Sequence, residues 1–487
     1  MSNQLPMLLF LVPFFTGVSM PILAARRPSI CQPMTLGALT LMVVLAIFNL
    51  RVVITNGPIE YAIGGWAAPL GIAWIDDTIA AIVVLTVSAV ALLSLTFGSV
   101  VVPTRLKRSI SYHTLILLLA GGLVGLIFAA DLFNVFVFLE VAALTGYALV
   151  GAQGGKASVF AFRYLLLGSF GATLYLLGVA HLYAVTGTLN MADLATRLPQ
   201  IVTSTAVAAG LIYIFLGLSI KMALVPLHSW LPDAYENAPE AIAPLLASTV
   251  TKVALIAWVR IEYSLISPGL EVGHVPVLVL LEELGVIAAL IGGALALIQT
   301  DLKRMFAYGG VSHIGLILIG VSLGNPTGFV GGMFYLINDA VMQAALFMIA
   351  GALVHYHGAR SLDDLRALGP RSPWLTGALI VVAVGMVGLP PTGGFFGKWN
   401  IILGALEAGH LVAAFTVVAS TLLTLGYFVK IFACWFDKAA GAETQLQPVA
   451  GSLRFSLGAI SISMIALGLM SDSIVRLLLE SISGGGV

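Results

Sequence analysis

Charge is scarce in this chain: only 9% of its 487 residues are Asp, Glu, Lys or Arg. A soluble domain carries about 25%. So few charges do not cover a water-facing surface of this size, which excludes a soluble globular protein. Neither sign dominates, because 22 basic and 22 acidic residues leave no basic field for nucleic acid and no acidic tail. Cysteine is nearly missing as well. Cys31 and Cys434 stand far apart with no C-x-x-C, so no disulfide framework, zinc ribbon or iron–sulfur cradle is readable. No cofactor and no metal are expected. Period-two alternation is also lacking, and a membrane chain without it is helical rather than a β-barrel.

What is abundant is apolar sequence, at 60% of the chain, with 52 glycines that let helices approach closely in lipid. Leu5–Ala24 is long enough to span a bilayer core of about 30 Å at about 1.5 Å per residue. It has no basic n-region, and Arg26 and Arg27 follow it, so it reads as a first membrane helix rather than a signal peptide. Runs of spanning length continue at 33–53, 77–102, 109–129, 130–151, 158–186, 203–228 and 239–264. Others follow at 278–298, 301–322, 327–357, 373–403, 409–436 and 451–472, for an all-α polytopic membrane protein of fourteen spans. Thr55–Ile75 is too polar to span and reads as a hairpin or loop; Ser361–Leu368 reads as a short amphipathic segment along the interface. Trp230, Trp258, Trp374 and Trp435 lie near span ends and read as an interfacial belt.

Loops after odd-numbered spans, with adjoining helix ends, hold fifteen Lys/Arg: Arg26, Arg27, Arg105, Lys107, Arg108, Lys156, Arg163, Lys303, Arg304, Arg360, Arg366, Arg371, Lys430, Lys438 and Arg454. The other side holds four: Arg51, Arg197, Arg260 and Arg476. By the positive-inside rule the protein sits in the cell (inner) membrane with both termini extracytoplasmic.

The remaining lysines, Lys221, Lys252 and Lys398, fall inside apolar runs, as do Glu140 and Asp339. Each such charge costs about 2.5–3.5 kcal/mol at a helix centre, so it needs a partner, water or a task. With His313 these groups make a chain of proton-exchanging side chains. The plainer alternative is buried ion pairs that hold helices together, or for Asp339 a bond to neighbouring backbone.

Two spans are interrupted. Pro226 follows Lys221 closely, and Gly388, Pro390, Pro391, Gly393 and Gly394 break the twelfth run just before Lys398. Proline frees carbonyls in the membrane, where unwound backbone is tolerated only if buried in protein or facing water. Breaks in spans seven and twelve, five spans apart, mark two inverted five-helix repeats, spans 4–8 and 9–13. The division is then 1–108 for three leading helices, 109–264 and 278–436 for the repeats, and 437–487 for the last helix and tail. GAQGGKAS at 151–158 lacks the first glycine of a phosphate-binding loop. His355 and His357 point to different helix faces and do not chelate one metal.

The stretches DLFNVFVFLEV at 131–141, KMALVPLHSWLPDAY at 221–235, TGTLNMADL at 186–194 and DLKRMFAYGGVSHIG at 301–315 resemble the proton-conducting antiporter-type subunits. That family is shared by respiratory complex I, membrane-bound hydrogenases and Mrp multisubunit cation/proton antiporters. The wording is most similar to the D-type component of the Mrp antiporters, and the resemblance covers nearly the whole chain. It implies fourteen helices in two inverted five-helix repeats, and, with the sequence ending after the fourteenth run, no lateral helix like that of the largest complex I member is expected. It also implies a proton relay: Glu140 of span five with Lys221 of the broken seventh, His228 at the inlet, Lys252, His313, and Lys398 at the exit. In span eleven, Asn338, Asp339 and Gln343 stand where members often carry His, Asp and Lys. Asp339 is kept, while Asn338 and Gln343 are left to orient water.

The resemblance implies a proton-translocating subunit of a multisubunit Na+/H+ antiporter. Its partners would be other subunits, membrane lipid, protons and a monovalent cation, with no nucleic acid. An NADH:quinone oxidoreductase or hydrogenase membrane arm is the alternative, to which this chain would contribute no redox centre. An inactive scaffold is a third reading, prompted by Gln343.

Overall fold

The computed structural model describes residues 2–201, 204–265, 271–272, 275–368, 370, 372–437 and 450–483. Arg371 and Lys438 lie outside them, as do parts of the segment 437–487. Among the described residues, twelve helices are long and apolar enough to cross a membrane, and two further spans are broken. The unbroken ones include Leu5–Leu23, Cys31–Asn56, Thr78–Val101, Ile110–Phe128, Leu132–Val150 and Lys156–Thr186. Then come Ala243–Leu265, Val277–Ile298, Leu302–Ser322, Pro326–His357, Leu411–Trp435 and Gly451–Leu469. The seventh span is Thr205–Lys221 plus Trp230–Asn237, and the twelfth is Pro373–Val387 plus Gly393–Glu407.

Thr55–Ile75 is largely a hairpin, as expected: strand β1 (Ile59–Ala62) pairs antiparallel with β2 (Ala73–Asp76), with Ile59 opposite Asp76. Two β-bridges fasten the start of the fifth span on the same face, Trp74 to Ala129 and Asp131 to Asn190. This hairpin face also holds the N-terminal segment, where the Tyr61 hydroxyl donates to Gln4 at 3.0 Å. On the opposite, basic face, Asp301 bridges to Ser361.

These bridges expose the internal repeat. Asp131 caps the fifth span by accepting from Phe133 and Asn134, and Asp301 caps the tenth by accepting from Arg304. Each capped start is bridged to the segment after the next, longest helix, which ends in a left-handed glycine, Gly187 or Gly358. A short helix follows each, Met191–Arg197 and Leu362–Leu368, and then the broken span. Five spans is an odd number, so the second set enters from the opposite face and is inverted. The caps matter because a free N–H in hydrocarbon has no water to satisfy it.

Glycine allows close packing within the first set. A Cβ on Gly178 would lie 2.5 Å from the Gly210 carbonyl, so the sixth and seventh spans touch backbone to backbone. The eighth, tenth and eleventh spans are 94% buried over their apolar windows, against 33–44% for peripheral ones such as the first and thirteenth. They form the centre.

The two sets meet on the basic face. Arg304 donates to Asp233 at 2.9 Å and Glu236 at 2.8 Å, both on the second half of the broken seventh span. Lys303 donates to the Ala238 carbonyl at 3.0 Å and to Glu240 at 3.4 Å. In Leu362–Leu368, Leu362 and Leu365 are buried, as an amphipathic interfacial segment requires. The tryptophan belt is corrected: Trp230, Trp258 and Trp435 are buried and only Trp374 is exposed. Trp258 packs on Phe215, and Trp435 donates to Thr376 at 3.1 Å. Proximity to a span end does not distinguish a lipid-facing indole from one that fastens two helices.

Candidate functional site

The seventh helix stops at Lys221, and its chain turns through Ala223, a non-glycine residue at φ +57. Such a conformation costs about 1–3 kcal/mol and persists only where its surroundings hold it. Here Trp230, the first residue of the second half, donates its indole N–H at 2.8 Å to the Ile220 carbonyl, which also accepts from the Ala223 N–H at 3.2 Å. Its ring lies flat on Tyr164, centroids 4.0 Å apart. With that carbonyl satisfied, the Lys221 ammonium is free to bind elsewhere. It donates to Glu140 Oε1 at 2.8 Å and to the Tyr147 hydroxyl at 3.1 Å. Tyr147 follows Glu140 by two turns and so shares its face of the fifth span. The Glu140 side chain is 21% exposed against 6% for Lys221, so the pair opens towards the periphery. His228, half-buried in the break, has its ring 6.1 Å from Tyr308 and joins neither pair. Pro226 is exposed there.

The second cluster lies at the centre. Asp339 Oδ2 is 2.7 Å from Lys252 Nζ, and its Oδ1 is 2.6 Å from His313 Nδ1. Lys252 also donates to the Ala247 carbonyl at 2.8 Å. Asp339 thus contacts two proton-exchanging side chains, one from each repeat, and does not serve as a local backbone ligand. His313 Nε2 has no hydrogen-bond partner among the described residues. With Nδ1 on the carboxylate, the ring either donates from Nδ1 or is fully protonated.

The third is the twelfth span's break, turned by Gly388 at φ +83. Lys398 donates to the carbonyls of Met386 at 2.9 Å and Val387 at 3.2 Å, the last of the first half-helix. The ammonium does here what Trp230 does in the other repeat. It forms no ion pair among the described residues, and it sits 5.8 Å above the Tyr335 ring, which meets His313 edge-on at 5.3 Å. Asn338 donates to its own helix at Phe334, 2.8 Å, and abuts Gly393, where any Cβ would collide with it. Pro390 and Pro391 occupy the unwound turn. Gln343 is buried beside Gly310, and its Nε2 has no partner among the described residues.

The sequence-derived residues therefore fall into three clusters rather than one unbroken file. Tyr147, Trp230 and Tyr335 were not foreseen. Tyr147 alone carried a signal, its two-turn spacing from Glu140. Also unforeseen is Asp76 at the end of β2, fully buried beside Asn49. Burial pushes its carboxyl up to about 7; Asn49 pulls it back, Asp77 pushes further and Arg260 pulls back. Asp77 itself is paired with Arg260 at 2.9 Å.

Fold and site together define a class: a polytopic helical membrane protein with an internal inverted repeat and ionisable side chains along its buried centre. The family profile described as NADH:quinone oxidoreductase/Mrp antiporter, TM, matches residues 129–424, and the chain belongs to that family. It is 35% identical over 98% of its length to the N component of the NADH-quinone oxidoreductase of Desulforudis audaxviator, covering 97% of that protein. It is 32% identical over 98% of its length to the D component of the Na(+)/H(+) antiporter of Alkalihalophilus pseudofirmus, covering 96% of it. Among solved structures, it superposes on a chain of the archaeal membrane-bound sulfane sulfur reductase with a TM-score of 0.91. Identity there is 29%, over 99% of this chain and 97% of that one.

Proposed function

We propose that this chain is the proton-translocating subunit of a multisubunit monovalent cation/proton antiporter, of the Mrp D type. Glu140, Lys221, His228, Lys252, His313, Asp339 and Lys398 are the groups that take up and pass on protons. The observation that carries the reading is Asp339, a buried carboxylate shared by Lys252 of the first repeat and His313 of the second. A purely structural ion pair needs one cation per carboxylate. A carboxylate between two proton-exchanging groups gives a proton somewhere to go.

Glu140 offsets the cost of burying the Lys221 ammonium while the two touch, because a buried ammonium without a counter-charge is costly. Parting the pair releases the proton inward. Lys252 and His313 then compete for Asp339, and Lys398, held by two carbonyls and the face of Tyr335 without a carboxylate partner among the described residues, receives it next. Asn338 and Gln343 orient water in that last step. The units are 1–108, 109–264, 278–436 and 437–487, with the relay in the middle two. The basic face looks into the cell and the hairpin face, with both termini, outward. Sodium is the coupled cation, and the remaining subunits and lipid surround the chain.

The 35% identity to an oxidoreductase component favours a second reading, a membrane-arm subunit of such an enzyme. The test is to purify the intact complex through a tag on this chain, identify its companions by mass spectrometry, and measure proton movement in vesicles. Antiporter subunits and sodium-driven proton flux, lost in assembled Glu140→Gln and Lys221→Ala complexes, are expected. Flavin and iron–sulfur companions with flux driven by electron transfer would establish the second reading. Full flux in Glu140→Gln would end the relay.

A further inference from the structure

At the hairpin face of the second repeat, His410 Nδ1 lies 2.5 Å from Glu282 Oε2. Glu282 belongs to the ninth span and its side chain is 11% exposed, whereas His410 is 38% exposed. One partner faces the protein and the other faces out. His410 ends the tight link after the twelfth span, where Gly409 takes φ +77, and starts the thirteenth. Neither residue has a place in the relay of Glu140, Lys221, Lys252, His313 and Lys398.

Polar groups lead inward from this pair along the seam of spans nine, ten and thirteen. Ser312 donates to the Ala289 carbonyl at 2.6 Å and contacts Ser420 at 3.0 Å. Ala289 is two turns, about 10 Å, deeper than Glu282 on the same helix face. Thr416 and Thr424 flank Ser420 by one turn each, and all three are buried. The line ends at Tyr427, whose buried hydroxyl has no hydrogen-bond partner among the described residues. That hydroxyl lies against Gly309, where a Cβ would be 3.2 Å away, one turn before His313. His313 Nε2 is likewise without a partner.

Thr416 and Thr424 each donate to their own helix, to the Val412 carbonyl at 2.8 Å and the Ser420 carbonyl at 2.9 Å, which leaves their hydroxyl oxygens able to accept along the protein-facing seam. Each both donates and accepts, so a row of them passes a proton by exchanging hydrogen bonds. Their spacing, about 6 Å per turn, is what one bridging water spans. We propose that His410 and Glu282 form a proton port on the hairpin face, connected to His313 through Tyr427, Ser420 and Ser312 and independent of Lys398. This rests on the proton-translocating reading. In each step one O–H or N–H bond breaks and one forms. Glu282 takes the proton from the hydroxyl line, hands it to His410, and the imidazole releases it from its other nitrogen to the aqueous compartment.

Proton flux through the intact complex in vesicles tests it. His410→Ala should lower flux about tenfold or more, a general acid–base loss. Imidazole added to the compartment at the hairpin face, and not to the other, should restore it. Glu282→Gln and the double variant Ser312→Ala with Ser420→Ala should lower flux with the complex intact. If His410→Ala does not assemble, His410→Asn carries the same expectation. Unchanged flux in the His410 variant, or a loss that imidazole restores from neither side, overturns the port. Wild-type complexes without proton flux would instead overturn the translocating reading, and the port with it.

Discussion

Lys252 and Asp339 touch at 2.7 Å across the boundary between the two repeats, with side chains 3% and 0% exposed. Neither charge has water to fall back on, so the two halves of the molecule are tied by a contact that must stay matched in charge.

Asp339→Asn leaves Lys252 and His313 facing each other without a carboxylate. Breaking a buried pair from one side costs about 3–5 kcal/mol. The variant should assemble poorly, with a lowered melting temperature in detergent and no proton flux, while Asp339→Glu should keep partial flux. An Asp339→Asn protein as stable and active as wild type would contradict the central role of this carboxylate.

His313→Ala should reduce flux far more than Gln343→Ala. His313 carries a titratable ring bonded to Asp339 at 2.6 Å, whereas an amide neither takes up nor releases a proton near neutral pH. Initial rates of dye-reported proton uptake compare the two. A silent His313→Ala beside an inactive Gln343→Ala would reverse the assignment, and indifference to both and to Lys252→Ala would favour a scaffold.

Asp76 gives stability a pH dependence. Its folded carboxyl titrates at about 7, against about 3.9 in an unfolded chain. Between those values the folded protein binds more protons than the unfolded one, so this group's contribution falls as pH rises from about 4 to about 7 and is flat above. Asp76→Asn should therefore raise the melting temperature at pH 8 and leave it nearly unchanged at pH 4. An equal shift at both pH values would mean that the carboxyl is ionised throughout.

Orientation is open to cysteine labelling because Cys31 and Cys434 are buried. Arg108→Cys, on the basic face, should react only from the cytoplasm, and Ser473→Cys, in the exposed part of helix Ser471–Ser483, only from outside. The opposite pattern would invert the protein.

Much of this was legible in the sequence, because lipid narrows the options: a charge such as Lys221 or a proline such as Pro390 inside an apolar run has to be explained. Spans, breaks and the Glu140–Lys221 pairing followed from that constraint together with the family resemblance. Partner choice at the centre did not. Lys252 and Asp339 are far apart in sequence, and whether Asp339 turns to its own backbone or to a neighbour depends on how the eighth, tenth and eleventh spans pack. Trp230 was misread for a related reason. Its indole N–H had two uses open to it, the lipid interface or a carbonyl at the break, and the choice rests on the path of residues 222–229.

Arg304 grips the half-helix Trp230–Asn237 through Asp233 and Glu236, and it shares the unbroken helix Leu302–Ser322 with His313. About 13 Å of rigid helix separates the two. The half-helix after the break beside Lys221 is therefore fastened to the helix that carries the histidine of the opposite repeat. A swing at the first break would reach Asp339 as a tilt of the tenth helix, so that one half of the molecule would sense the other's position by leverage, before any proton had crossed between them.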